Sequence, residues 1–279
     1  MTGQYSVQLL CSVLEVSRSC YYDWRSGQTY QVTAKNITLE NRVVNLFHRH
    51  KRRYGSRRVA AELGNQNVPI SLYKVRKLLS RNGLKAIQPR SFVPKTTNSG
   101  HTLKISPNLL KTRPFPSSIN EVWVGDITYI PMADGKFNYL STWMDLYSRR
   151  IVGWDLQDHM RESLVSVSLL KALKSRKIKP GLLAHSDKGG QYASTRFRAI
   201  LTKNGIEQSM SDAKNAYDNA HMESFFSRFK AELLEGGVFQ NTEDGRTEIF
   251  EFREMYYNTE RLHSSLGYLS PNAYKKRQS

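Results

Sequence analysis

The chain has 279 residues, room for two cored domains, and carries 42 Lys and Arg against 24 Asp and Glu, a formal net charge of +18. No apolar run approaches the roughly 18 residues of a membrane span, no secretory leader is visible, and Cys11 and Cys20 support neither a disulfide framework nor a Cys-rich zinc site. The charge is uneven, with 17 basic and 4 acidic groups in residues 1–100 against 25 and 20 in residues 101–279, a field that favours nucleic acid over a small neutral substrate and leaves an anionic membrane as the rival.

In chain order, apolar residues at Val7, Leu10, Val13 and Leu14, a break at Ser17 and a second run to Trp24 predict two short helices. They read either as a helix-turn-helix or as a plain helical hairpin, with both cysteines as semi-buried thiols. After the basic run KRRYGSRR, Val59 and Leu63 share a helix face, and a later helix is opened by Ser71 and closed by Asn82-Gly83. That later helix carries Lys74, Arg76, Lys77 and Arg81, a basic face for a duplex backbone or an ordinary solvated surface. Residues 1–87 thus form a helical, helix-turn-helix-like region. Residues 88–120, with Pro89, Pro94, Pro107, Pro114 and Pro116, predict a basic linker, in which Lys95, Lys104, Lys111 and Arg113 suit either DNA tracking or a solvated spacer.

From residue 121 to 279 the pattern is mixed α/β. EVWVGDITYI alternates, placing Val122, Val124, Asp126, Thr128 and Ile130 on one face and Trp123, Ile127 and Tyr129 on the other. Asp134-Gly135 marks a hairpin turn, and FNYLSTWMDLY and RRIVGWDL complete a three-stranded antiparallel meander. A helix, the buried strand GLLAHSD, a helix closed by Gly205, the strand IEQSM and a long helix from Tyr217 follow. No phosphate-loop glycine cluster accompanies them, which separates this order from a dinucleotide-binding fold.

Three carboxylates stand out. Asp126 lies in the middle of an apolar strand, where a charge is costly unless paired or coordinated. Asp187 lies at the C-terminal edge of the next apolar strand, before a Gly-Gly turn, and Glu223 lies on the last long helix, sharing a face with Asn219 and Lys230. Together they suit two Mg²⁺ ions about 3.5–4 Å apart, Asp126 bridging, Asp187 and Glu223 completing the shells, with Mn²⁺ as a substitute. Taken singly, each has an ordinary structural explanation as a turn, cap or surface residue.

The words WVGDITYI, HSDKGGQY, YDNAHMESFFSRFKAE and YYNTERLHSSLGYLSPNAY, with 60 residues between the two aspartates and 35 between Asp187 and Glu223, resemble the DDE integrase core of bacterial insertion-sequence transposases. The likeness is to the second-reading-frame product of two-frame elements and runs nearly full length. It implies an RNase-H-like mixed five-stranded sheet with flanking helices, preceded by a small helical DNA-binding region. It implies a metal triad of Asp126, Asp187 and Glu223, and Lys230 as a DNA contact. It also implies DNA 3′-end cleavage and strand transfer, with element ends and target DNA as partners, a homo-multimer, and a first-frame protein or frameshifted fusion. The implied setting is cytoplasmic and nucleoid-associated. The chain departs from the pattern at Ser227, where some integrases have Lys, and at Lys214-Asn215, where Gly-Asn is common. A metal-dependent nuclease without strand joining and a DNA-binding regulator are the competing functions.

Asp145, His185, Asp218 and His221 lie near these residues in sequence and have simpler readings as pairing, hydrogen-bonding or capping groups. Trp123, Trp143, Trp154, Tyr129, Tyr139 and Tyr147 suit sheet packing before base stacking. Tyr257, Asn258, Arg261 and His263 predict a cluster that either braces the long helix or contacts DNA.

Overall fold

Strand β1 (Val122–Pro131) has large apolar side chains on both faces, and the chain responds by covering both. Val122, Val124 and Ile130 enter one core, whereas Trp123 enters the other with Ile127 packed against it. The alternation read from sequence is therefore realised. This is a computed structural model, and it describes residues 5–27, 34–89, 103–178, 180–212, 220–235 and 237–278.

β1 pairs antiparallel with β2 (Phe137–Asp145) through a turn in which Gly135 takes φ +77° and the Asp134 carboxylate accepts the Lys136 N–H. β2 pairs antiparallel with β3 (Ile151–Gln157). β4 (Leu183–Ser186) runs parallel beside β1, and β5 (Glu207–Met210) parallel beside β4, so the sheet order is β3-β2-β1-β4-β5. The mixed five-stranded sheet expected from the resemblance is present.

Helices α6 (Glu162–Lys174), α7 (Gly190–Ala193) and α8 (Thr195–Lys203) close the face of Trp123 and Trp143. Helix α9 (Ala220–Leu234) covers the other face with Met222, Phe225, Phe226 and Phe229, backed by α10 (Thr242–Glu251) and a π-helical turn, Phe252–Tyr257. Two glycines mark close approaches, one to the neighbouring strand and one to the helix layer. A Cβ on Gly125 would stand 2.6 Å from the Trp143 ring, and one on Gly153 would stand 2.4 Å from the Ser168 carbonyl.

The N-terminal region contains α1 (Val7–Val13) and α2 (Arg18–Arg25), each capped by a serine, Ser6 and Ser17. Cys11 is buried but Cys20 is exposed, because α2 buries none of its residues. Three further helices, α3 (Ala34–Arg49), α4 (Ser56–Asn65) and α5 (Leu72–Arg81), share a third core built on Val43, Phe47, Val59, Leu63, Val75 and Leu79. Ser71 caps α5 and Gly83, at φ +65°, ends it, as predicted. Helix α3 is not among the elements predicted from sequence: its core residues Val43, Leu46 and Phe47 all lie in its second half, while Ile37 is exposed.

The downstream part of the Pro-rich segment is a strap rather than a free spacer. Met210 N–H donates to the Pro107 carbonyl, Leu109 N–H to Ser209 Oγ, and Lys111 and Arg113 pair with Asp212 and Glu207. It thereby covers the outer strand, whose unpaired backbone would otherwise be an exposed edge. Lys104 precedes this strap, and Lys95 lies outside the described residues.

The third core is closed by the C-terminal tail. Tyr54 hydroxyl donates to the Glu260 carbonyl at 3.2 Å and accepts Leu262 N–H at 2.8 Å, while Arg58 Nε donates to the Leu262 carbonyl at 2.9 Å. Arg53 Nε reaches the Glu232 carbonyl on α9 at 3.0 Å. The helical region and the sheet domain are thus joined by buried contacts. A last helix, α11 (Pro271–Gln278), ends the chain, and among the described residues no helix is long and apolar enough to cross a membrane.

Candidate active site

Parallel pairing of β1 with β4 ends with Val124 opposite His185, and that register carried on by two residues brings Asp126 level with Asp187, just past the end of β4. Asp126 lies opposite Thr142 on its other flank and is half-buried. Each aspartate is oriented locally: Asp126 Oδ1 accepts the Ile127 N–H at 2.8 Å, and Asp187 Oδ1 accepts the Gly189 N–H at 3.0 Å. A Cβ on Gly189 would meet that same Asp187 oxygen at 3.0 Å, so glycine leaves room for the carboxylate.

Both aspartates act on Tyr192, one turn of chain beyond Asp187. Burial first, then the Asp126 and Asp187 charges, push its phenol well above the usual range, so it stays a neutral hydroxyl. Tyr192 closes the word HSDKGGQY but carried no chemical signal of its own. Lys230 is the nearby cation. Its ammonium lies 3.6 Å from the centroid of the Tyr129 ring, and burial lowers its pKa to about 8 against the opposing pull of Asp126.

Glu223 lies exposed on α9, two turns before Lys230. Among the described residues no three of His, Cys, Asp and Glu form a group able to hold a metal ion. The structure therefore brings two of the three expected carboxylates together and holds the third apart. Three carboxylates without a cation repel, and here the charge beside Asp126 is that of Lys230. Asp126 and Asp187 nevertheless fit a hard divalent ion, since both offer partly exposed carboxylate oxygens, one within β1 and one just past the end of the neighbouring β4.

The neighbouring residues have structural roles. Asp145 lies opposite Trp123, and its carboxylate accepts the N–H groups of Asn120, Tyr147 and Ser148, although burial raises its pKa. His185 is buried with Nδ1 2.8 Å from Ser209 Oγ. Burial, reinforced by Arg149, lowers the pKa of His221 to about 4, leaving it neutral at physiological pH. Asp218 and Asn219 lie outside the described residues. Trp123 and Trp143 are fully buried, and Tyr147 packs on Tyr274, so these aromatics serve packing.

On α5, Lys74 Nζ donates to Asn36 Oδ1 at 2.9 Å and Arg81 lies 3.8 Å from Glu40, whereas Arg76 and Lys77 are exposed. In the tail, Asn258 bonds both the N–H and the carbonyl of Ile151, and Arg261 makes a bidentate pair with Glu232 at 2.8 and 2.6 Å. The tail cluster braces β3 and α9.

Residues 116–216 and 204–271 match two families each described as Integrase core domain, and residues 35–92 match the HTH-like domain family. The HTH-like match covers α3 to α5 and omits α1 and α2. The chain is 38% identical over 241 residues to the transposase for insertion sequence element IS904 of Lactococcus lactis, covering 86% of this chain and 94% of that protein. It is 36% identical over 277 residues to transposase InsF for insertion sequence IS3A of Escherichia coli K12, covering 99% and 96%. Among solved structures, the HTLV-2 integrase catalytic core domain in complex with magnesium aligns at a TM-score of 0.44 and 15% identity, covering 57% of this chain and 98% of that one.

Proposed function

Because the chain belongs to the integrase-core transposases of bacterial insertion sequences, we propose that it cleaves and joins DNA strands at Asp126 and Asp187, with Glu223 as the third carboxylate. The observation that supports this reading is the β1–β4 register, which carried two residues past its last pair brings Asp126 level with Asp187. Two Mg²⁺ ions, or Mn²⁺ in their place, would supply activation of a water or a DNA 3′-hydroxyl and neutralisation of charge on the departing oxygen. Asp126 and Asp187 would hold them, each already oriented by a backbone N–H. Glu223 joins only if the first turn of α9 or its own side chain moves toward the aspartates.

Other residues of the chain bind and orient. Lys230 places a cation beside Asp126 and within reach of a phosphate there. Tyr192 keeps its proton and offers a neutral donor rather than a third negative charge. Arg76, Lys77 and Arg81, all exposed, with the partly buried Lys74, give α5 a basic surface for duplex DNA. Element ends and target DNA are the substrates in this reading, held by a multimer, with a first-frame protein or a frameshifted fusion as a further partner.

The test is incubation of the protein with paired element-end DNA, target DNA and Mg²⁺, with and without the first-frame product, followed by resolution of cleaved and joined strands. Joining that disappears in Asp126→Ala, Asp187→Ala and Glu223→Ala supports the assignment. Joining retained in all three overturns it. Hydrolysis with no joined product in any combination identifies a nuclease instead.

A further inference from the structure

Near the start of β1, basic side chains from four elements converge. Arg150 ends the β2–β3 turn, Arg176 follows α6, Arg253 lies in the π-helical turn and Lys275 on α11. Arg150 and Arg253 both act on Arg176, Arg150 acts on Arg253, and Arg176 and Arg150 act on Lys275. The counter-charges are Asp145 and Glu254. Asp145 is committed to three backbone N–H groups, and Glu254 pairs with Arg253. Four cations therefore meet two carboxylates that already have partners.

The donors are not all used. Arg176 Nη1 reaches Asn120 Oδ1 at 3.1 Å, but Arg176 Nη2, Arg150 Nε and Arg253 Nε are buried with no acceptor. A buried N–H without an acceptor is costly, and a guanidinium cannot escape by losing its proton. Burial and the neighbouring Arg150 push Arg176 down to about 10, the mark of a cation held among cations. A phosphodiester would supply both missing elements, acceptor oxygens in the plane of a guanidinium and negative charge. An extended polyanion suits the surroundings better than a small ion, because exposed Lys174 and Lys177 flank Arg176, and Lys276 and Arg277 follow Lys275.

We propose that Arg150, Arg176 and Arg253, with Lys275 at their edge, form a phosphodiester-binding site for duplex DNA distinct from the Asp126–Asp187 pair. Asp145 faces Trp123, three residues before Asp126, so the site lies about 10 Å along β1 from the carboxylates. The anion chemistry follows from the cluster alone, while the choice of DNA as the anion rests on the transposase reading.

The experiment measures binding of the full-length chain to a non-specific duplex in EDTA, by fluorescence anisotropy across a salt series. Without divalent ions it is independent of strand joining. Arg176→Gln and Arg253→Gln should each weaken binding and reduce the salt slope by about one. Arg196→Gln, the same charge change at an exposed position on α8, should reduce it by less. Arg176→Lys should keep the slope, because the charge remains. Without DNA, Arg176→Gln should unfold no earlier than wild type in a thermal melt, since it relieves repulsion among the arginines. Slopes for Arg176→Gln and Arg253→Gln equal to that of Arg196→Gln would overturn the site. A second arm titrates wild type with inorganic phosphate at constant ionic strength. Stabilisation by phosphate that Arg176→Gln abolishes, with duplex binding unchanged, would make this a small-anion site and overturn its assignment to DNA.

Discussion

Glu232 and Asp126 are both carboxylates drawn into the fold, and the surrounding chain treats them in opposite ways. Glu232 meets Arg261 through two charge-assisted hydrogen bonds at 2.6 and 2.8 Å, with both side chains almost fully enclosed. Asp126 is set beside a second carboxylate, Asp187. The first arrangement is complete without a ligand and acts as a brace between α9 and the tail. The second is partly exposed, with the Lys230 cation beside Asp126, and its oxygens are the kind of ligand that a hard divalent ion takes. A charge closed off by its partner marks architecture here, and partly exposed carboxylates that a cation can still reach mark the proposed chemistry.

The sharpest way to break that distinction is Asp126→Asn. Joining activity should fall on the order of ten-thousandfold, about 5 kcal/mol of barrier, as expected when a cation ligand is lost. The melting temperature without Mg²⁺ should change little, because asparagine keeps the side-chain oxygen that accepts the Ile127 N–H. A variant that lost stability instead would place Asp126 with Glu232 as a brace. The converse substitution, Glu232→Ala, leaves Arg261 buried and unpaired and should cost about 3–5 kcal/mol in urea unfolding. A cost under about 1 kcal/mol would mean that the pair is not closed.

Gly125 and Gly153 sharpen the comparison at smaller cost. Alanine at Gly125 drives a methyl into the ring of Trp143 on the paired strand, and alanine at Gly153 drives one into the Ser168 carbonyl of α6, and each should lose about 1–3 kcal/mol. Gly125 adjoins Asp126 whereas Gly153 serves only the α6 face. Joining per folded molecule should therefore fall in Gly125→Ala and hold in Gly153→Ala, as read by activity normalised to folded fraction.

What the sequence disclosed follows the same division. Strand alternation around Asp126, the Asp134-Gly135 turn and the Ser71 cap are local signals, and each appears where it was predicted. The two aspartates were legible as candidates because one interrupts an apolar strand in its middle and the other follows directly on the end of an apolar strand. The Glu232–Arg261 pair joins residues 29 apart in sequence, and no periodicity links a helix residue to a tail residue. Helix α3 was missed because Val43, Leu46 and Phe47 supply its core face late, after a beginning in which polar residues separate Ile37 and Leu39 from any buried stripe. The position of Glu223 relative to the aspartates depends on the approach of α9 to the sheet, which sequence spacing does not encode.

The smallest effect tests the closed side of the comparison through pH. His263 packs its ring 4.9 Å from Tyr257, its Nε2 is buried without an acceptor, and Arg261, Arg58 and Arg149 surround it. Burial, followed by those three cations, holds the imidazole well below its ordinary range. Above about pH 6.5 the ring is neutral in the folded and unfolded chain alike, and contributes no pH dependence. Below that, down to its depressed native value, only the unfolded chain takes the proton, so stability falls as pH falls, by at most about 1.4 kcal/mol per pH unit. His263→Gln removes the titrating group while keeping a polar side chain. Urea unfolding at pH 7, 6 and 5 should show wild type losing stability more steeply than the variant. Parallel losses would mean that the imidazole accepts a proton in place, and that the junction around Arg261 is open to water and anions rather than closed.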